Sequence, residues 1–332
     1  MHLHVNYIYR HPDAGISITR LFKQVIKIIE KSVEVSATVM PKHDPSIKGI
    51  LRNIVHTYRH CNRQGINHIT GDIHYVSLGL IGCKSVVTVH DTNYTDAMTN
   101  PLKKWAFEML YYRIAFFFTD RIVCISEHTR QSIRRFTSRR DIAIIPQSYD
   151  ADLYRYVPKP FDSNCPNILV IGTAWNKNVP FQIRALNGLH CHFTIIGKLT
   201  PEICQALQDT HADYSNLYHI SDEETCLCYQ QCDLLLFCTL CEGFGLPPVE
   251  AQATGRPVVT SAIEPVLEVC GGAALHVDPQ NAQAIRQAVQ NIIDDESLRT
   301  RLVQDGLKNA GRFLPERTAQ AYLQLYQSMA DK

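Results

Sequence analysis

The sequence predicts an α/β chain folded as two doubly wound, Rossmann-like domains, and three observations carry that prediction. Short apolar runs that read as buried parallel strands alternate along the chain with stretches of helical spacing. Residues 150–167 hold Pro158, Pro160 and Pro166 with little periodicity, which marks a boundary between two bodies. A chain of 332 residues is long for one core and suits two domains of ordinary size.

Leu3 to Tyr9 alternates apolar with polar residues and reads as the first strand. The loop His11 to Ser17 follows, and Arg20 to Lys31 places Leu21, Val25, Ile28 and Ile29 at helical spacing, so a βαβ unit opens the chain. One glycine stands in that loop where a dinucleotide fingerprint needs three, which argues against hydride chemistry on a nicotinamide. Val33 to Met40, Ile66 to Thr70, Ser85 to Val89, Arg121 to Ile125 and Ile142 to Ile145 read as further strands, with a helix at Ile50 to His60 and Ser126 as a helix N-cap. His90-Asp91 closes the strand Ser85 to Val89, and the carboxyl ends of such strands are where open α/β sheets hold ligands. Pro101 to Thr119 mixes Lys103, Lys104 and Arg113 with Trp105, Phe107, Tyr111, Tyr112 and Phe116 to Phe118. It reads either as an interfacial helix or as a core helix packed on the sheet. A second basic stretch, Arg130 to Arg140, adds to the surface reading.

The second domain repeats the pattern. Strands are expected at Ile168 to Ile171, His192 to Ile196, Asp233 to Phe237, Pro257 to Thr260 and Ala273 to Val277. Helices are expected from Val179, at Asp222 to Gln231, Val249 to Thr254, Ala282 to Asp294 and Leu298 to Gly311, and from Pro315 to Met329. The stretch Cys241 to Ala251 stands between a strand and a helix. Its glycine loop offers backbone N–H groups and the positive end of a helix dipole to an anion, flanked by Glu242 and Glu250.

Apolar residues make up 45% and charged residues 20% of the chain, as in a soluble globular protein. No run reaches the roughly 18 to 20 apolar residues of a membrane span. The segment Met1 to Tyr7 lacks a basic head and an apolar core, so no signal peptide is expected. Twelve cysteines without a secretion signal then point to reduced thiols in a cytoplasmic protein. Cys238 and Cys241 have the spacing of a zinc half-site, but Cys226, Cys228 and Cys232 lie in a helix and its end, and buried free thiols fit better. The net charge of +1 hides an asymmetry: residues 1–150 carry 20 Lys+Arg against 12 Asp+Glu, and the remainder 13 against 20. The first half therefore faces something anionic, and no nucleic-acid-binding motif is present.

The string "CEGFGLPPVEAQATGRPVVTS" resembles the signature of the retaining family 4 glycosyltransferases, commonly "EGFGLPxxEAMAxGxPVVxS". "VVTVHD" and "GTAWNKN" resemble two further family segments, the latter usually written "GTxxxRKN" with Asn176 here in place of the arginine. The phosphate contact of that arginine is missing or supplied elsewhere, by Lys198 unless that is a solvated loop lysine. The resemblance is specific from Cys165 onward and looser before it. It implies the GT-B architecture: two Rossmann-like domains facing a cleft, with the last helix returning to the first. The expected division is an acceptor-binding domain over 1–157, a nucleotide-sugar domain over 158–312 and the returning helix over 313–332. By the same resemblance the donor site holds Gly172, Thr173, Lys177, Gly243, Phe244, Gly245, Leu246 and Glu250. Gly15 either approaches the donor phosphates or is a plain turn glycine. Glu242 contacts the donor sugar's hydroxyls, Glu250 the ribose hydroxyls, and Lys177 the diphosphate, with acid–base roles for the two glutamates as the alternative. His90 stands near the reacting centre, and His90 and Glu242 are the expected catalytic pair.

The implied reaction is sugar transfer from a nucleoside diphosphate, GDP-mannose first and a UDP-sugar second, to a glycan or polyprenyl-diphosphate-linked acceptor in cell-surface polysaccharide or lipopolysaccharide synthesis. It needs no metal or other cofactor, because lysine and helix dipoles can stabilise the leaving diphosphate. Asp150-Ala151-Asp152 has the spacing of a metal-binding pair in another transferase fold, but it stands beside the hinge and is read as linker. A phospholipid surface, at the inner face of the cytoplasmic membrane, suits the basic half. A nucleotide-sugar epimerase of the same architecture and a non-catalytic glycan- or nucleotide-binding protein remain as alternatives.

Overall fold

The computed structural model describes residues 3–14, 17–44, 46–96 and 98–331. Gly15 lies outside them. Two six-stranded, wholly parallel sheets organise two compact units, one of Met1–Ser148 with Pro315–Lys332 and one of Tyr149–Leu314. The first sheet is built from β1 (His4–Tyr9), β2 (Glu34–Val39), β3 (Ile66–Ile69), β4 (Lys84–Val89), β5 (Arg121–Cys124) and β6 (Ala143–Ile144), in the order β2-β1-β3-β4-β5-β6. The second has β7 (Asn167–Ile171), β8 (His192–Ile196), β9 (Asp213–Leu217), β10 (Leu234–Phe237), β11 (Val258–Ser261) and β12 (Leu275–Val277), in the order β12-β11-β10-β7-β8-β9.

The period-2 alternation of strand side chains sorts the first sheet into two cores. Val5, Tyr7 and Tyr9 of β1 join one cluster and Ile8 the other; Val86 of β4 joins the first, Val87 and Val89 the second. The helix Pro315–Ala330 packs into the first cluster through Ala319, Tyr322, Tyr326 and Met329, a three-and-four spacing that keeps them on one face. Lys84 caps its C-terminus, with Nζ 2.5 Å from the Met329 carbonyl. That interior is unusually polar. His68 donates or accepts at both ring nitrogens, 2.6 Å from the Tyr326 hydroxyl and 2.7 Å from Thr88 Oγ1, and Tyr322 reaches the same threonine at 2.9 Å. Burial drives His68 down to about 3, so it is neutral near pH 7.

Two expectations change. The units divide between Ser148 and Tyr149, not at 157/158, because the following residues are already held by the second unit. Tyr154 stacks edge-on with Tyr229, Cys226 Sγ reaches the Leu153 carbonyl, and Arg256 Nη2 donates to the Val157 carbonyl at 2.6 Å. The stretch Pro101 to Thr119 is helical but interrupted, with Pro101–Glu108 and Ala115–Phe117 joined through a π-turn at Met109–Ile114. Phe107, Leu110 and Tyr111 pack on the sheet's second core, as the core reading expects, while Leu102, Trp105 and Phe117 stay exposed. No helix among the described residues is long and apolar enough to cross a membrane.

Candidate active site

In the second sheet β7 and β10 are neighbours, and the chain runs outward from them in opposite directions. That reversal of strand order opens a crevice at the carboxyl ends of the two strands, where doubly wound sheets bind ligands. The loops that follow β7 and β10 carry the "GTAWNKN" and "CEGFGLP" motifs, so the topology brings together residues 65 positions apart.

Lys177 and Glu242 meet there, with Nζ 2.6 Å from Oε1 and both side chains largely shielded. Thr239 Oγ1 lies 2.9 Å from the same carboxylate oxygen, and the ammonium sits 4.6 Å above the Phe237 ring. Gly172 makes room for the lysine: its φ is +83°, and a Cβ there would stand 3.1 Å from Lys177 Cε. Thr173 fills the neighbouring corner, 2.7 Å from where a Cβ on Gly197 would be.

The two loops are stitched by asparagines. Asn176 Nδ2 donates to the Cys241 carbonyl at 3.0 Å, and its own carbonyl accepts from Leu240 N at 2.7 Å. Asn178, left-handed at φ +57°, donates to the Cys238 and Pro279 carbonyls. Asn176 occupies the position where the family pattern has arginine, so its work here is loop geometry. Asn178 was legible in principle, since asparagine tolerates the left-handed region better than most residues.

The glycine loop then turns into the helix Leu246–Ala253 through Gly245, whose φ of +101° is hard for a side-chain-bearing residue. Pro247 and Pro248 remove two of the four N–H groups that helix start would otherwise present. The uncommitted donors are instead those of the loop: among the described residues none accepts a hydrogen bond from the N–H of Gly243, Phe244 or Gly245. Phe244 is buried edge-on against Phe313 and anchors the loop. Glu250 lies one turn further on, its Oε2 accepting from the Tyr229 hydroxyl at 2.6 Å. Burial, then the Glu250 charge, pushes Tyr229 well above the ordinary phenol range, so it stays a donor. Lys198 is exposed at the end of β8.

The cysteine cluster is packing. Cys226, Cys228, Cys232 and Cys238 are buried, and burial pushes Cys232 up to about 12. Asp150 caps a turn, its Oδ1 accepting from Asp152 N and Leu153 N.

The first unit has its own reversal, between β1 and β3. A cavity of about 270 Å³ opens there, lined among others by Arg10, Lys42, Asp72, Asp91, Tyr94 and Tyr111. His90 is buried beside it at the end of β4. Its Nε2 donates to the Thr70 carbonyl at 2.7 Å, which leaves Nδ1 to accept from the Gln147 amide at 2.7 Å. Sequence reasoning missed both partners, which come from other strands' ends.

Similarity to known proteins agrees with this geometry. The protein resembles the sucrose-phosphate synthase from Thermosynechococcus elongatus with a TM-score of 0.79, at 16% identity over 98% of this chain and 99% of that one. It resembles Anabaena HepE in complex with UDP and glucose with a TM-score of 0.78, at 13% identity over 98% of this chain and all of the other. The fold is therefore GT-B. Residues 160–309 match the family Glycosyl transferases group 1, and residues 21–153 match Glycosyltransferase Family 4; the chain belongs to the family 4 glycosyltransferases.

Among its relatives is the uncharacterised glycosyltransferase MJ1178 of Methanocaldococcus jannaschii, 23% identical over 67% of this chain and 63% of that protein. Another is the N,N'-diacetylbacillosaminyl-diphospho-undecaprenol alpha-1,3-N-acetylgalactosaminyltransferase of Campylobacter jejuni, 22% identical over 65% of this chain and 62% of that protein. The O-antigen chain mannosyltransferase RfbU of Salmonella typhimurium is 36% identical over a shorter stretch, 23% of this chain and 22% of that protein. The match spans less than two thirds of the length of each of these relatives.

Proposed function

We propose that the protein is a retaining glycosyltransferase that moves a hexose from a nucleoside diphosphate sugar to a glycan or lipid-linked acceptor in cell-surface polysaccharide synthesis. The observation that carries this reading is the contact of Lys177 with Glu242, at the reversal point of the second sheet, beside loop N–H groups that have no partner among the described residues. An ammonium with protons to spare beside those N–H groups suits a diphosphate, whose negative charge grows as the sugar leaves. Glu242 keeps Oε2 for a sugar hydroxyl, since among the described residues its recorded partners all use Oε1. Glu250, steadied by Tyr229, suits the ribose hydroxyls.

Nothing in this arrangement is placed as a nucleophile, so retention is assigned to front-face attack, the departing phosphate taking the acceptor's proton. The charge is handled by Lys177 and loop amides, and no metal is invoked. His90 is assigned to a position beside the reacting centre; with both ring nitrogens engaged, it would contact substrate by giving up Gln147 or act through the Thr70 carbonyl. GDP-mannose is the first donor to try, because a relative is named a mannosyltransferase; a UDP-sugar is second, because the HepE structure holds UDP. A polyprenyl-diphosphate-linked acceptor is supported by the name of the Campylobacter relative.

The test is turnover of GDP-mannose and UDP-sugars by pure protein supplied with acceptor extract, with the product's anomeric configuration read by NMR. Transfer with retention, abolished in Glu242→Ala, is the expected result. Conversion of the donor without acceptor would point to an epimerase. A nucleotide that raises Tm without any turnover would point to a binding protein.

A further inference from the structure

The helix Ile47–His60 leaves large apolar residues outside as well as turning them inward. Its inner face carries Gly49, Asn53 and Thr57, all buried. Close approach demands small residues there: a Cβ on Gly49 would come 2.2 Å from the Asp44 carbonyl oxygen, and one on Gly79 would come 2.5 Å from the Ile54 carbonyl oxygen. Ile50 and Ile54 pack partly buried against the sheet's second core, and the outer face carries further large apolar residues. Ile47, Leu51, Val55 and Tyr58 are 78%, 56%, 47% and 56% exposed, and their spacing of four, four and three keeps them in one stripe.

Lys48, Arg52 and Arg59 are exposed as well, and helical geometry puts all three along the same flank of that stripe. Arg63 follows the helix, its guanidinium 4.9 Å above the Tyr58 ring. From residue 45 to residue 71 the chain contains no aspartate or glutamate. Scattered exposed apolar residues are ordinary, but a continuous stripe with three cations along one flank is not. The helical stretch starting at Pro101 covers the same core of the sheet and adds exposed Leu102, Lys103 and Trp105.

We propose that the outward face of the helix Ile47–His60 docks on an anionic lipid surface, the apolar stripe entering the headgroup boundary and Lys48, Arg52 and Arg59 meeting lipid phosphates. Charge complementarity selects this occupant. A second copy of the same stripe would set cationic flanks near one another, and a neutral apolar partner would leave the cations unmatched. A basic flank beside an apolar stripe is the pattern of helices that lie in the membrane plane. The docking does not depend on the transfer reaction, so it can fail while that reading stands, and the converse.

Sedimentation of the full chain with phosphatidylglycerol or phosphatidylcholine vesicles, free of nucleotide and acceptor, tests it. Binding to the phosphatidylglycerol vesicles is expected, weakening as salt rises, with little binding to phosphatidylcholine. Leu51→Glu combined with Val55→Glu is expected to weaken it at least tenfold, and Arg52→Gln about fivefold. Tyr214→Glu, an exposed residue of the second unit, is the control and leaves binding unchanged. Thermal melts confirm that each variant is folded. Equal binding to both vesicle types, or binding unaffected by the paired glutamates in a folded variant, would overturn the proposal. So would a dimer in sedimentation velocity that those glutamates dissociate.

Discussion

The two units use the same device, a parallel sheet whose strand order reverses, and furnish the reversal point differently. In the second unit the crevice between β7 and β10 is assembled before any ligand arrives: two asparagines tie the loops together, and Lys177 and Glu242 hold each other. In the first unit the reversal between β1 and β3 is an open cavity of about 270 Å³ with aromatic and mixed-charge walls. A site that handles an invariant group, such as a diphosphate, gains from rigid donors that need no reorganisation. A site that must fit an acceptor particular to one glycan gains from room and from side chains that can rearrange. The first unit also buries a polar network in the core beneath Pro315–Ala330, where His68 joins Thr88 and Tyr326, whereas the second displays Lys177 and Glu242 at the mouth of the sheet.

Breaking the pre-assembled side should cost most. Lys177→Ala and Glu242→Ala are each expected to lower turnover by roughly 10² to 10³-fold, measured as sugar release from the donor. Lys42→Ala, on the open cavity, is expected to change KM for the acceptor and leave donor hydrolysis nearly intact. Equal losses from both sites would erase the contrast.

Much of the contrast could be read in the sequence, and what could not has physical causes. The strands and the glycine loop were legible because buried parallel strands are apolar throughout and glycine loops punctuate them. The strand β9 was not, because Asp213–Leu217 is an almost wholly exposed edge with no apolar run to betray it. The helix Pro201–Thr210 beside it carries only local signals, Thr200 as its cap and Pro201 at its start. Glu242 and Lys177 were both legible as motif residues, but their contact is a product of strand order. The His68 network was invisible for the same reason, its partners being Thr88, Tyr322 and Tyr326. The proposed role of Gly15 falls outside the described residues.

Acid should separate the units next. His68 and His74, both in the first unit, are buried and held down to about 3 and about 4. Among the described residues neither ring nitrogen of His74 finds a hydrogen-bond partner, and burial outweighs the Asp72 charge that favours protonation. The sign follows: below the ordinary histidine value the unfolded chain takes up protons that the folded chain refuses, so stability falls as pH falls. Between pH 7 and pH 5 the loss is about 2 kcal/mol for each histidine. Calorimetry over that range should show the first unit's transition moving down away from the second's. Transitions that stay together would mean the first unit does not carry the acid-labile core.

Backbone strain gives a smaller, cleaner comparison. Gly245 at φ +101° and Gly82 at φ +83° both occupy the left-handed side, and a Cβ on Gly245 would meet only an ordinary contact with Val266. Alanine at either should cost about 1 to 2 kcal/mol of stability, seen as a lower Tm. Only Gly245→Ala should also weaken donor binding, because only there does the strained turn aim loop N–H groups.

The smallest expected change probes how far the pre-assembly extends. Tyr229 is fully buried and donates to Glu250, so Tyr229→Phe removes one hydroxyl and keeps the ring's packing against Tyr154. If Glu250 holds the nucleotide and takes no part in bond breaking, the loosened carboxylate should raise donor KM by roughly threefold to tenfold with kcat unchanged. A hydroxyl that only filled space would alter Tm and leave KM alone. A fall in kcat at constant KM would place Glu250 in the chemistry, and the rigid half of the molecule would then be doing more than gripping its ligand.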